Sequence, residues 1–415
     1  MHKIERLLQT LAPKGVEFKT LEEVFEIKNG YTPSKNNPEF WEKGTIPWFR
    51  MEDIRENGRI LKDSIQHITP KALKGKKLFP KNSIIISTTA TIGEHALLIV
   101  DSLANQRFTF LSKKANCGIA LDMKFFFYQC FLLGEWCKKN TNVSGFASVD
   151  MTAFKKYKFP IPPLEIQQEI VKILDAFTEL NTELNTELKA RKKQYQYYQN
   201  MLLDFKGINQ NHKDAKMSAK TYPKRLKTLL QTLAPKGVEF RKLGEVCDFQ
   251  KGKSITKKAV TFGKVPVISG GRQPAYYHNE ANRSGETIAI SSSGVYAGYV
   301  SYWDIPVFLA DSFSVSPKQK TLMPKYLFHY LTTQQDAIHA TKSTGGIPHV
   351  YSKDLQNFLI PIPPLEIQQE IVKILDQFLA LTTDLLAGIP AEIEARKKQY
   401  EYYREKLLAF KPLKA

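Results

Sequence analysis

Cysteine is scarce in this chain: Cys117, Cys130, Cys137 and Cys247 are the only four in 415 residues. None forms a C-x-x-C pair and no histidine cluster stands near them, so neither a disulfide framework nor a structural metal is expected. No run of 18 apolar residues occurs, which excludes a membrane-spanning helix from the expected elements. The opening MHKIERLLQT has no apolar stretch of the length a signal peptide needs. A reducing cytoplasm is the compartment these absences favour.

Catalytic signatures are missing as well. Gly252-Lys253-Ser254 resembles the end of a phosphate-binding loop, but the spacing demands a glycine at 247, where Cys247 stands. No G-x-G-x-x-G follows a strand, and there is no N/D-P-P-aromatic methyltransferase signature. The acid-and-lysine cluster Glu187-Leu188-Lys189 falls inside a helical repeat and reads as a chance likeness to a nuclease centre. The chain is expected to be no enzyme by itself and to hold no cofactor or metal of its own.

What is present is positive charge, unevenly spread. The net charge is +19. Residues 1–163 carry 25 Lys and Arg against 16 Asp and Glu, and residues 217–363 carry 19 against 9. The stretches 164–216 and 364–415 carry 8 against 8 each. The excess therefore sits in two separate blocks, which suits a polyanion touched at two places. A length of 415 residues is ample for two domains.

The chain also repeats itself. LLQTLAPKGVEF occurs at 7–18 and at 229–240, identical at twelve positions. PIPPLEIQQEIVKILD occurs at 160–175 and at 361–376, identical at sixteen. ARKKQYQYYQNMLLDF at 190–205 matches ARKKQYEYYREKLLAF at 395–410 in eleven of sixteen positions. Between these segments, residues 19–158 and 241–359 share only scattered likeness. A duplicated frame holding two different readers is the simplest account, because uniform drift would not spare the frame alone.

The frame segments read as helices. Ile166, Ile170, Ile173, Phe177, Leu180 and Leu184 alternate spacings of four and three, a coiled-coil seam. Ile367, Ile371, Ile374, Phe378, Leu381 and Leu385 reproduce it, so these twelve are the expected helix-pair interface. Tyr195, Tyr198, Leu202 and Phe205 resume the seam, as do Tyr400, Tyr403, Leu407 and Phe410. The first segment contains TELNTELNTEL at 178–188, and each four-residue unit is a stutter in a heptad pattern. The second contains Gly388-Ile389-Pro390, which should stop or kink a helix and restart it at Pro390.

The variable blocks mix short strand-like runs (83–89, 287–291, 295–302) with helical stretches around 125–137 and 325–333. The expected fold is therefore α+β: two globular domains joined by two long coiled-coil helices, in a pseudo-two-fold internal repeat. The expected limits are 1–159 for the first domain, 160–205 for the first helix, 206–224 for a polar linker, 225–360 for the second domain and 361–415 for the second helix.

Side chains able to meet a nucleic acid gather in a few loops. In the first block they are Thr32, Ser34, Lys35, Asn36, Lys76, Lys77, Thr89 and Thr91; in the second they are Lys251, Lys253, Ser254, Lys257, Arg272, Gln273 and Ser292. Arg forks to guanine and Gln to adenine, while Lys and hydroxyls suit phosphate.

The repeated P-x-P-P-L-E-x-Q-x-x-I, the helix ending in A-R-K-K-Q-Y-x-Y-Y, the segment TPSKNNPEFWEKGTIPW at 32–48 and the four-residue repeat together resemble type I restriction–modification specificity subunits. The resemblance spans essentially the whole chain. It implies that each variable block is a target-recognition domain reading one half of a split site in double-stranded DNA. It implies an antiparallel helical pair that fixes their separation, two bound copies of a methyltransferase (modification) subunit, and a motor-nuclease (restriction) subunit as an optional further partner. S-adenosylmethionine, ATP and magnesium then belong to those partners. The competing accounts are a coiled-coil adaptor that binds no DNA, an RNA-binding protein and a DNA enzyme with fused catalysis. The adaptor leaves the charge distribution unexplained. The RNA binder lacks stacking aromatics with basic neighbours, and the fused enzyme lacks its motifs.

Overall fold

A computed structural model describes residues 2–73, 75, 77–142, 147–205, 222–318, 320–343, 346–383 and 388–413. The chain divides into two compact units, residues 1–183 with 394–415, and residues 184–393. The helices that matter below are α1 (His2–Leu11), α2 (Met123–Lys139), α3 (Leu164–Leu203), α4 (Lys224–Leu233), α5 (Pro324–Thr333), α6 (Leu365–Thr383) and α7 (Ile389–Leu408). The division falls inside α3 and inside α7. No helix among the described residues is long and apolar enough to cross a membrane.

In unit 1 the main strands are β1 (Glu17–Thr20), β2 (Phe25–Asn29), β3 (Ile46–Phe49), β4 (Ser83–Ser87), β5 (His95–Leu98), β6 (Phe108–Lys113) and β7 (Lys158–Ile161). Five strands form one sheet in the order β2, β6, β4, β5 and Ile60–Leu61 at the far edge. β4 (SIIIS) is central and buried on both faces, which explains its continuous apolar run. β3 pairs antiparallel with His67–Ile68 and parallel with Leu103–Ala104. β1 closes the domain antiparallel to β7, Phe18 opposite Pro160.

Unit 2 repeats this plan. Its strands are β8 (Glu239–Lys242), β9 (Cys247–Lys251), β10 (Val265–Ile268), β11 (Thr287–Ser291), β12 (Val300–Trp303), β13 (Ser312–Pro317) and β14 (Leu359–Ile362). The sheet runs β9, β13, β11, β12, the order of unit 1 without its edge strand. β10 pairs antiparallel with Tyr276–His278 and parallel with Phe308–Leu309. β8 pairs with β14. The strand expected over 295–302 starts only at Val300. Gly294 and Gly298, at φ of +84° and +85°, turn the chain before it.

The Pro-rich repeat fastens each domain to its helix. Gln167 is buried on α3; its amide donates to the Ala120 and Pro162 carbonyls (2.9 and 2.7 Å), and its oxygen accepts from Asp122 N (2.8 Å). Asp122 is the N-cap of α2 and also accepts from Lys124 N and Phe125 N. Gln368 on α6 does the same, donating to Thr321 and Pro363 carbonyls and accepting from Met323 N, just before α5. The last residue of the repeat makes a second tie. Asp175 receives Lys124 Nζ and Tyr128 Oη, both at 2.6 Å. Asp376 receives Lys325 Nζ at 2.7 Å and pairs with His329 Nε2 at 2.9 Å.

The helical seam is shared between domain and helix. In unit 1, Ile166 and Ile170 sit in one core with Phe125, Phe126 and Phe159 of the sheet-and-helix domain and with Leu407 and Leu408 of α7. Phe177 meets Tyr403 and Tyr400 at 5.5 and 6.3 Å. In unit 2, Ile367 and Ile371 share a core with Tyr326, Leu327, Leu202 and Phe205, and Phe378 stacks on Tyr198 at 5.1 Å. Each unit thus joins the start of one helical segment to the end of the other, as antiparallel partners do. Ile173, Ile374, Phe177 and Leu180 are half-buried and Leu184 is buried.

The phase of the seam departs from the expectation along its length. Leu174 and Leu375 are fully buried beside the half-buried Ile173 and Ile374, and Thr382 is buried while Leu381 is exposed. An α-helix of 3.6 residues per turn drifts about 20° per heptad from a strict 3.5 repeat, so the facing position slides to the next residue. Leu385 lies outside the described residues. The restart expected at Pro390 comes one residue earlier, at Ile389, with Ala391 N bonded to the Gly388 carbonyl. The TELN units lie within the unbroken α3. Of the expected linker, 206–221 lie outside the described residues, and α4 begins at Lys224.

Candidate nucleic-acid interface

In unit 1 four chain segments meet at the open end of the sheet. Thr32, Lys35, Arg50, Arg55, Thr91, Gln106 and Arg107 line one cleft of about 840 Å3. Its floor is aromatic: Trp41 and Trp48 meet edge to face at 5.0 Å, and Phe108 lies beside them. Both indoles are held by the preceding loop, Trp41 Nε1 donating to the Ser34 carbonyl and Trp48 Nε1 to the Tyr31 carbonyl, each at 2.9 Å. The Arg50 guanidinium lies over Trp48 at 5.9 Å. Thr32 Oγ1 donates to the Gln106 side chain.

The turn at residues 30–31 passes so close to the 104–105 backbone that only glycine fits. A Cβ on Gly30 would stand 2.3 Å from the Ala104 and Asn105 carbonyl oxygens. Ser34, Lys35 and Asn36 are exposed on the same loop, and Asn36 precedes the Asn37 cap of a short helical turn. Thr89 is held through a backbone bridge to Ser148. Lys77 departs from this group: it lines a separate cleft with Glu26, Lys28 and Tyr31. Lys76 lies outside the described residues.

Unit 2 assembles the corresponding segments. A Cβ on Gly252 would stand 2.4 Å from the Ala310 carbonyl oxygen, so Gly252 serves the same close approach as Gly30. Lys253 N then bonds to the Leu309 carbonyl, as Tyr31 N does to Ala104. Lys251, Lys253, Ser254 and Lys257 are exposed around this turn. Ser291 Oγ donates to the Ser269 carbonyl at 3.1 Å, which draws the Gly270–Gln273 loop against the Ser292 loop. Arg272 lies over the rings of Tyr296 and Tyr299, at 4.9 and 5.7 Å, a contact that holds a guanidinium in place without neutralising it. Gln273 is exposed beside it.

Arg50, Arg55, Gln106, Arg107 and Asp311 escaped the sequence reading. Arg55 lies in the short helix Met51–Asn57 and the others beside strand ends, with no local pattern to mark any of them. Arg283 escaped it too, and its role is internal: it donates to the Gln250 and Lys251 carbonyls and to Ser314 Oγ, holding the end of β9. Burial lowers its pKa from the ordinary value.

Each unit therefore carries loop tips of mixed Lys, Arg, amide and hydroxyl groups over a rigid sheet. Donors for phosphate and groups able to discriminate base edges stand side by side in both. A family model described as the type I restriction modification DNA specificity domain matches twice, over residues 13–194 and 235–395. The chain is 41% identical over 400 residues to the type I restriction enzyme EcoprrI specificity subunit of Escherichia coli, covering 93% of each chain. It is 33% identical over 306 residues to the EcoR124I/EcoR124II specificity subunit of the same organism, covering 65% of this chain and 69% of that one. The fold matches the solved type I restriction-modification S subunit from M. genitalium with a TM-score of 0.59 at 20% identity, covering 95% and 96% of the two chains. On the twice-matched domain model and a near full-length relative, the chain belongs to the type I restriction–modification DNA specificity family.

Proposed function

We propose that this chain is the sequence-reading subunit of a type I restriction–modification complex, with residues 1–159 and 225–360 each reading one half of a split duplex site. The observation that carries the reading is the repeated loop cluster: the same backbone scaffold presents one set of side chains around Gly30 and another around Gly252. Thr32, Lys35, Arg50, Gln106 and Arg107 serve the first half-site; Lys253, Arg272, Gln273, Ser292 and Asp311 serve the second. Exposed lysines at the margins, such as Lys251 and Lys257, hold phosphates.

The helical segments 160–205 and 361–415 act as spacer and as docking surface. Tyr197 and Tyr402 occupy matching places in the two ARKKQY repeats and are 61% and 58% exposed. Two equal copies of an exposed aromatic surface suit two equal methyltransferase subunits, which supply the cofactor and the chemistry.

The test is methylated-site mapping on DNA exposed to the full chain with and without its methyltransferase partner. The complex methylates a bipartite sequence, while the chain alone methylates nothing, cleaves nothing and hydrolyses no ATP, and its duplex binding weakens steeply with salt. Turnover by the purified chain, or duplex binding indifferent to salt, overturns the reading.

A further inference from the structure

One position differs in sign between the two loop clusters. Thr88 N bonds to the Arg107 carbonyl at 3.2 Å, and Ser292 N bonds to the Asp311 carbonyl at 3.0 Å. Val149 N then bonds to the Thr88 carbonyl, and Val350 N to that of Ser292. A little upstream, Ala104 and Asn105 meet Gly30 in one unit, and Leu309 and Ala310 meet Gly252 in the other. Arg107 and Asp311 therefore occupy one structural position, just ahead of β6 and β13, beside the central strand of each sheet.

We propose that this position reads a base in each half-site, with opposite chemistry: Arg107 takes a guanine, and Asp311 takes a base with an exocyclic amine. The inference rests on the specificity-subunit reading above. Arg107 is exposed and lines the cleft, and no carboxylate among the described residues pairs with its guanidinium. A free guanidinium fork matches the O6 and N7 acceptors of guanine in the major groove.

Asp311 is the more telling of the pair. A carboxylate at the tip of a basic domain repels phosphate, so a backbone contact is excluded by charge. Ser293 Oγ donates to one of its oxygens, which orients the group and leaves the other oxygen as an acceptor. In the major groove of duplex DNA the partners that suit it are the amines of cytosine N4 and adenine N6.

The experiment maps methylated sites for the assembled complex carrying R107A, R107K, D311N or S293A. R107A relaxes one guanine in the first half-site, with discrimination falling roughly ten- to a hundredfold, the range of one bidentate base contact. R107K keeps the charge but not the planar fork, so discrimination weakens while the salt dependence is preserved; a phosphate role for Arg107 would instead leave R107A with wild-type specificity and a shallower salt dependence, and overturns the proposal. D311N keeps the shape of the side chain and relaxes one position of the second half-site only. The map names that base pair, whose amine is cytosine N4 or adenine N6 on whichever strand carries it; a second half-site unchanged in D311N, or loosened at every position, overturns the assignment. S293A retains the wild-type base with weaker discrimination. Unchanged half-sites in both R107A and D311N overturn the inference alone, whereas a wild-type complex that methylates no split site overturns the reading on which it rests.

Discussion

Where unit 1 buries His95 beside its central strand, unit 2 buries Val300. Ile86 pairs with His95 across β4 and β5, and Ile290 with Val300 across β11 and β12. Where unit 1 ties α2 to the long helix through Tyr128 and Asp175, unit 2 ties α5 through His329 and Asp376. Where unit 1 presents Arg107, unit 2 presents Asp311. Yet Gln167 and Gln368, and Gly30 and Gly252, perform matching tasks. The comparison teaches that backbone geometry in this chain is held by a few frame contacts, which frees the rest of each domain, including its core, to change.

The strongest way to break that comparison is to exchange a whole reader. Replacing residues 241–359 with the corresponding block of another specificity subunit is expected to change one half-site entirely and leave the other intact, as read by site mapping. A change in both half-sites would show that the readers are not independent.

Next in size is the frame clamp. Gln167→Ala strips partners from Asp122 N and from the Ala120 and Pro162 carbonyls. At about 1–3 kcal/mol for each buried group left unpaired, a loss of about 3 kcal/mol is expected in unit 1. Gln368→Ala should do the same in unit 2. Hydrogen exchange resolves the two, and each variant should lose protection mainly in its own unit; equal loss in both would mean that the clamp is not local.

Acid should separate the units further. Burial, with Arg59 and Arg404 nearby, pushes His95 down from its ordinary value to about 3. Between about pH 6.5 and 3 the unfolded chain binds a proton there that the folded chain does not, so stability falls as pH falls, by about 1.4 kcal/mol per pH unit. In unit 2, burial pushes the Asp376 carboxyl up, but bonds from His329 and Lys325 outweigh it and leave it below its ordinary value. Its contribution is present above the ordinary carboxylate value and lost only as pH falls through the lower folded one. Unit 1 should therefore lose exchange protection at a higher pH than unit 2, and His95→Val should narrow the gap. An unchanged pH dependence in that variant would remove His95 as the cause.

The smallest expected effect compares the unbroken α3 with the interrupted α6 and α7. One TELN unit adds about 6 Å of helix and about 40° beyond a full turn. DNA rises about 3.4 Å per base pair and rotates roughly 35°, given about 10–10.5 pairs per turn. Length alone favours nearly two pairs and rotation about one. Register is the stricter demand, because each reader must still face its groove. Adding or deleting one unit is expected to shift the unread spacer by one base pair with both half-sites kept; an unchanged spacer would make the repeat slack rather than a ruler.

Much of this was legible in the residues. The SIIIS and TIAIS runs are the central strands β4 and β11, and the stretches around 125–137 and 325–333 lie in α2 and α5. Thr32, Lys35 and Thr91 do line one cleft, because each follows a strand end whose turn chemistry shows locally. Lys77 looked equivalent to them and faces another cleft, since a run of lysines carries no direction. Arg107 and Asp311 gave no signal, as single charged residues between two short strands look like any solvated loop.

The duplication, the placement of the net charge in two blocks and the helical nature of the frame belong to the sequence by itself, since periodicity and charge need no knowledge of what packs where. The tertiary structure decided the rest. It set the phase of the seam, where Leu174 rather than Ile173 is buried most deeply, because a real helix turns at 3.6 residues and follows its neighbours. It also brought together loops distant in the chain, through the parallel pairing of β3 with Leu103–Ala104 and of β10 with Phe308–Leu309. Such pairings join residues with no local relation, so the side chains that share a cleft were fixed only when the sheet closed.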